Sequence, residues 1–80
     1  MATLRHCREA VVAAIIYARQ VDQDLFVVNV QNGIQFGIID KPTHPHCKTC
    51  YRISKTGDVF PYADYPTADE LFAEHPEQRP

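Results

Sequence analysis

The chain has 80 residues, 45% of them hydrophobic, with 8 basic and 10 acidic side chains and a net charge of −2. That is one domain's worth of chain, too apolar for global disorder, and its longest apolar run, residues 10–18, is too short to span a bilayer. The near-neutral total excludes the uniformly basic domain of a dedicated nucleic-acid binder, and an odd count of three cysteines is not a disulfide framework.

The charge is nevertheless segregated. Residues 1–20 sum to +2 and residues 21–40 to −3. Residues 41–57 sum to +4, from Lys41, Lys48, Arg52 and Lys55, and residues 58–80 sum to −5. The simplest expectation is that the acidic C-terminal segment folds over the basic one and neutralises it. The first residues do not read as a secretory signal, so the expected place of action is the cytoplasm, with reduced thiols and no membrane partner.

Residues 4–19 read as a helix. Leu4, Cys7, Val11, Ile15 and Ala18 recur at spacings of three and four and make one apolar face. Val12, Ile16 and Tyr17 widen the stripe beyond what one sheet needs, which points to burial on a second side, for example against another copy of the chain. Residues 25–31 and 34–40 read as a hairpin around Asn32-Gly33, the pair best suited to a type I′ turn. That register sets Asn29 opposite Phe36 and Val27 opposite Ile38, with Val28 and Val30 on the other face. Pro42 and Pro45 make residues 41–49 a loop. Residues 50–54 and 58–62 form a second hairpin around Lys55-Thr56-Gly57. Thr67-Ala68-Asp69-Glu70 is a capping box for a short helix that Pro76 stops. The sequence thus predicts an α+β fold: an N-terminal helix, two antiparallel β-hairpins in a three- to four-stranded sheet, and a short C-terminal helix. Residues 1–76 form the expected domain, and 77–80 a frayed tail.

The stretch 44–50 carries the densest chemistry. His44, His46, Cys47 and Cys50 are all metal-capable, and Cys47 and Cys50 have the C-x-x-C spacing at which two thiolates share one tetrahedral ion. Zinc is the candidate cofactor, with those four residues as its ligands. A second C-x-x-C or H-x3-5-H pair is missing, so plain loop cysteines and a redox pair remain alternatives. Lys48 and the nearby histidines would lower a thiol pKa. A cysteine nucleophile needs its base in hydrogen-bond reach and a third group to orient that base. Neighbouring side chains in a proline-rich loop do not hold such geometry, so no enzymatic activity is expected.

Asp69, Glu70 and Glu74 offer an acidic face to a basic partner, and Lys48 and Arg52 a basic one to an anionic partner. The order helix, strands, helix resembles double-stranded-RNA-binding domains in topology alone. The helix start that such domains set on phosphates falls here at residues 67–70, which are acidic. The expected function is that of a small accessory or inhibitory protein of the kind phages and mobile elements encode. It would act through protein–protein contacts, with a homodimer through the first helix as one form. A zinc-stabilised module contacting an anionic partner through residues 41–57, and a thiol-dependent redox or catalytic protein, are the alternatives.

Overall fold

The computed structural model describes residues 4–30, 35–42, 45–62 and 64–80. Helix α1 (Leu4–Val21) is followed by strands β1 (Leu25–Val30), β2 (Gln35–Ile39), β3 (Cys47–Ile53) and β4 (Val59–Pro61). A short helix α2 (Ala68–Leu71) and one turn of 310 helix (Pro76–Gln78) close the chain. The sheet runs β2-β1-β3-β4 with every neighbouring pair antiparallel. The α+β architecture matches the one expected. No helix among the described residues is long and apolar enough to cross a membrane.

Helix α1 forms where the periodicity says it should. Cys7, Val11, Ala14, Ile15 and Ala18 are all buried and lie three or four residues apart, so they make one stripe. The stripe lies over β1, β2 and β3. Asp22 ends the helix in the left-handed region (φ 55°), and the Gln23 N–H donates to the Ala18 carbonyl at 3.3 Å. This is the arrangement of a Schellman cap, with aspartate at the position glycine usually takes.

The first hairpin has the expected register: Val27 opposes Ile38 and Asn29 opposes Phe36. The Asn32-Gly33 turn lies outside the described residues. The second hairpin closes at 54–58, where the Gly57 N–H donates to the Ser54 carbonyl at 2.9 Å. Gly57 sits at φ +95°, so the backbone calls for glycine; an added Cβ would lie 2.6 Å from the guanidinium of Arg19, an exposed side chain that can move aside.

The loop expected over 41–49 is shorter than that: β3 begins at Cys47, so Cys47, Lys48 and Thr49 belong to the sheet. The prolines stop at position 45. From Cys47 onward every residue has an N–H to give, and Val28 to Val30 of β1 offer a free edge to pair with. The connection from β2 to β3 therefore runs back along the sheet. The Thr49 hydroxyl donates to the Pro42 carbonyl at 2.8 Å, which ties this connection to the face away from α1. Val28, on the face opposite the helices, is 1% exposed, with Gly37 of β2 against it.

The main core lies between α1 and the sheet, and Val11, Val27, Tyr51, Ile53 and Leu71 are its fully buried members of largest volume. Burying one such aliphatic side chain stabilises the fold by about 1.5–3 kcal/mol. Thr67 caps α2 as the sequence predicts, its hydroxyl accepting from the Glu70 N–H at 3.3 Å, but the helix ends at Leu71, well before Pro76. Of residues 77–80, read as a frayed tail, Glu77 and Gln78 belong to the 310 turn and Arg79 caps it. There the Gln78 amide oxygen accepts from Arg8 Nε at 2.9 Å. Arg8 is 7% exposed and also reaches the Leu71 carbonyl at 3.5 Å, so a buried cation joins α1 to the C-terminal segment.

Candidate functional site

The sheet separates the C-x-x-C cysteines. Directly opposed residues in an antiparallel pair share a face. Cys47 opposes Val30 and Thr49 opposes Val28, which puts Cys47 in the outer row with Phe26 and Val28. Between Val27 and Val28 the register slips. Tyr51 opposes Val27 and Thr49 opposes Val28, so Cys50 is the extra residue of a β-bulge. The bulge turns both Cys50 and Tyr51 into the core under α1, and both are 0% exposed. Cys47 is half-buried on the other side of the sheet. His46 is exposed in the turn before β3, and His44 lies outside the described residues. Among the described residues no three His, Cys, Asp or Glu side chains gather where they would hold a metal ion.

Beneath α1 the structure brings together groups that lie far apart in the chain. Cys7 Sγ lies 3.6 Å from the Tyr51 hydroxyl, which donates to the Pro66 carbonyl at 2.8 Å. Tyr65 stacks edge-on against Tyr51 at 5.8 Å between centroids, and its hydroxyl accepts from the Asn29 amide at 3.4 Å. Burial raises the Cys7 and Cys50 thiols above their ordinary range. The Tyr51 hydroxyl beside Cys7 and the Tyr65 hydroxyl beside Cys50 offset part of that rise. Burial also raises the Tyr51 and Tyr65 hydroxyls. Thiols held protonated are poor nucleophiles and poor metal ligands, so this cluster is suited to packing.

The charged candidates are scattered. Lys48 points across the helix side of the sheet, its Nζ 5.8 Å from the centre of the Tyr65 ring. Arg52 lies on the opposite side, its guanidinium 4.3 Å from the Phe60 ring centre and 3.4 Å from an Asp24 oxygen. Asp69 accepts from Arg79 at 2.9 Å, within the C-terminal segment itself. Glu70 and Glu74 are exposed. The basic strand thus finds an acid in the α1–β1 connection, and the last segment pairs internally.

Apolar side chains are uncovered in two places: Phe60 and Tyr62, 42% and 41% exposed, at β4, and a group on α1. Ile16, Tyr17 and Val21 of α1 are 47%, 51% and 40% exposed. Tyr17 and Val21 stand beside Ile38 and Ile39 of β2, one of the two edge strands, whereas Ile16 faces outward beside Val12 and Gln78. One shallow groove runs between the first half of α1 (Ala10, Ala13) and the start of β2 (Gln35, Phe36). A second runs between Tyr17 and Val21 and the end of β2 (Ile38, Ile39). The sequence signal for this surface is the wide apolar stripe of α1. The edge position of β2 could not be read, because strand order depends on long-range pairing. Comparison with protein-family models, curated proteins and solved structures yields no match to this chain.

Proposed function

We propose that this chain is a small, non-enzymatic protein-binding protein, of accessory or inhibitory type, that works through protein–protein contacts on the α1–β2 side. The observation that carries the reading is the exposed apolar pair Tyr17 and Val21 beside an edge strand, with exposed Ile16 on the adjoining side of α1. Apolar side chains grouped next to unpaired backbone groups mark interaction surfaces, whereas single exposed apolar residues do not. Glu70 and Glu74 are exposed and would add steering toward a basic partner. Three free cysteines suit a reducing compartment, so we place its work in the cytoplasm.

The test is a complex rebuilt from the purified chain and the protein that it retains in its own cell. The double substitution I16E/Y17E replaces half-exposed side chains and should change folding stability by less than about 0.5 kcal/mol each. It should weaken the complex at least tenfold, while E74Q changes it less than threefold. A folded I16E/Y17E chain that binds as tightly as the parent refutes this surface as the site.

A further inference from the structure

The inference here rests on the reading just given and names the partner at the same surface. We propose that β2 pairs with β2 of a second copy, antiparallel, about a two-fold axis at Gly37. The sequence treats the two edges of the sheet differently. Strand β4 has three residues and ends in Pro61, and its Phe60 ring lies under the Arg52 guanidinium. Proline and short length are the usual means by which an edge is closed to further pairing. Strand β2 has five residues, Gln35–Ile39, with no charge and no proline among them. Nothing in its composition blocks another strand.

Self-pairing suits this strand in detail. Centred on Gly37, it opposes Gln35 to Ile39 and Phe36 to Ile38, so no like charges meet. Phe36 and Ile38 already pack against the core under α1, and pairing them across the axis would run two cores into one. Whichever of the alternating N–H and C=O groups point outward, five residues paired this way make about four to six ladder hydrogen bonds. The flanking relief is complementary as well. The groove lined by Ala10 and Ala13 lies over the start of β2, and exposed Tyr17 lies over its end. Antiparallel pairing sets the end of one β2 against the start of the other. Each Tyr17 then faces the groove of the other copy, whose α1 wall is His6, Glu9, Ala10 and Ala13. This match of a protruding ring to its own molecule's groove is why a second copy is the occupant. The two grooves draw on fourteen residues. At roughly 30–40 Å² per interface residue, the dimer would bury about 800–1,100 Å² in total. That is the low end for a specific interface.

The test is cysteine cross-linking in a Cys47→Ser background. Opposed residues of an antiparallel pair have Cα atoms about 4.5–5.5 Å apart, within disulfide range. G37C should therefore form a covalent dimer under mild oxidation. Q35C should not, because its two copies would lie about 13 Å apart along the strands. A Cβ at position 37 meets only Val28 Cγ2 at an ordinary 3.6 Å, so the monomer accepts the change. For the same reason G37K should remain folded, and by opposing two lysines it should raise the dissociation constant at least tenfold in sedimentation equilibrium. Cross-linking of G37C alone, together with a weakened G37K dimer, supports the proposal. Equal cross-linking of both cysteine variants or of neither, or a parent chain that stays monomeric at 200 μM, overturns it. The hetero-complex experiment with I16E/Y17E has its own outcome, so failure here leaves that reading standing on its own evidence.

Discussion

The hydroxyl of Tyr51 offers the sharpest test of how the core is held. The ring is 0% exposed, and its hydroxyl is the donor to the Pro66 carbonyl at 2.8 Å, two positions before α2 begins. Tyr51→Phe keeps the ring and removes that donor. A neutral hydrogen bond contributes about 0.5–1.5 kcal/mol net, and leaving a buried acceptor unsatisfied costs about 1–3 kcal/mol. Pro66 is half-buried, so its carbonyl has some access to water, and the expected loss lies near 1.5 kcal/mol. For a chain of this size that lowers the melting temperature by roughly 6–12 °C. Cys7 makes a much weaker contact with the same oxygen, at 3.6 Å through sulfur. A double-mutant cycle with Cys7→Ala should therefore give a coupling below about 0.5 kcal/mol. Urea unfolding of the four proteins at pH 7, with unchanged m-values, measures both quantities. A Tyr51→Phe chain within 0.3 kcal/mol of the parent would show that this hydroxyl does not anchor the segment leading into α2, and the argument would fail.

Two further outcomes follow from the same buried cluster. Cys7, Cys50, Tyr51 and Tyr65 all hold their protons more tightly when folded, chiefly because burial penalises the ionised forms. They give their full stabilisation below the ordinary thiol value of 9.0. Above it the unfolded chain releases protons that the folded chain keeps, so stability falls by about 1.4 kcal/mol per pH unit for each titrating group. Melting temperatures should drop steeply between pH 9 and 10.5, and a flat profile over that range would contradict the assignment. Alkylation of the native chain with iodoacetamide at pH 8 should modify Cys47 first, leaving Cys7 and Cys50 to react at the rate of opening. Equal rates at Cys47 and Cys50, read by mass spectrometry of peptides, would show that the sheet does not separate them.

Local signals made much of this fold legible. The α1 stripe, the cross-strand pairs Val27–Ile38 and Asn29–Phe36, and the Thr67 cap all depend on residues close in the chain or on a short turn. What could not be read depends on distance. Pro42, Pro45 and the cluster of histidines and cysteines made residues 41–49 look like one loop. The pairing of Cys47 to Thr49 with β1 comes from a strand almost twenty residues away. The bulge at Cys50 breaks strict alternation, so a period-of-two reading of β3 fails where the candidate site was expected. Arg8 sat in the helix as an ordinary charged residue, and its burial depends on Gln78, seventy positions later. The second apolar side of α1 was visible, but the strand beside it was not.

The bulge also bears on the metal reading of the C-x-x-C stretch. Two sulfurs that share a zinc ion must both come within about 2.3 Å of it. In this fold the backbone of β3 and its ladder to β1 lie between Cys47 and Cys50. Bringing the two thiols to one ion would require the start of β3 to leave β1, giving up the pairs at Val28, Asn29 and Val30 and the Thr49 hydroxyl's bond to the Pro42 carbonyl. It would also draw Cys50 out of a site where it is 0% exposed and where burial favours the neutral thiol. A metal-bound form of this chain would therefore be a different conformation with an opened outer face, and metal binding would compete with the packing of Val28. The same geometry separates the two halves of the molecule by role. The β3–β4 half ends in a three-residue edge strand closed by Pro61, with Phe60 and Tyr62 42% and 41% exposed, while the α1–β2 half keeps Tyr17, Val21 and a longer, proline-free strand edge open.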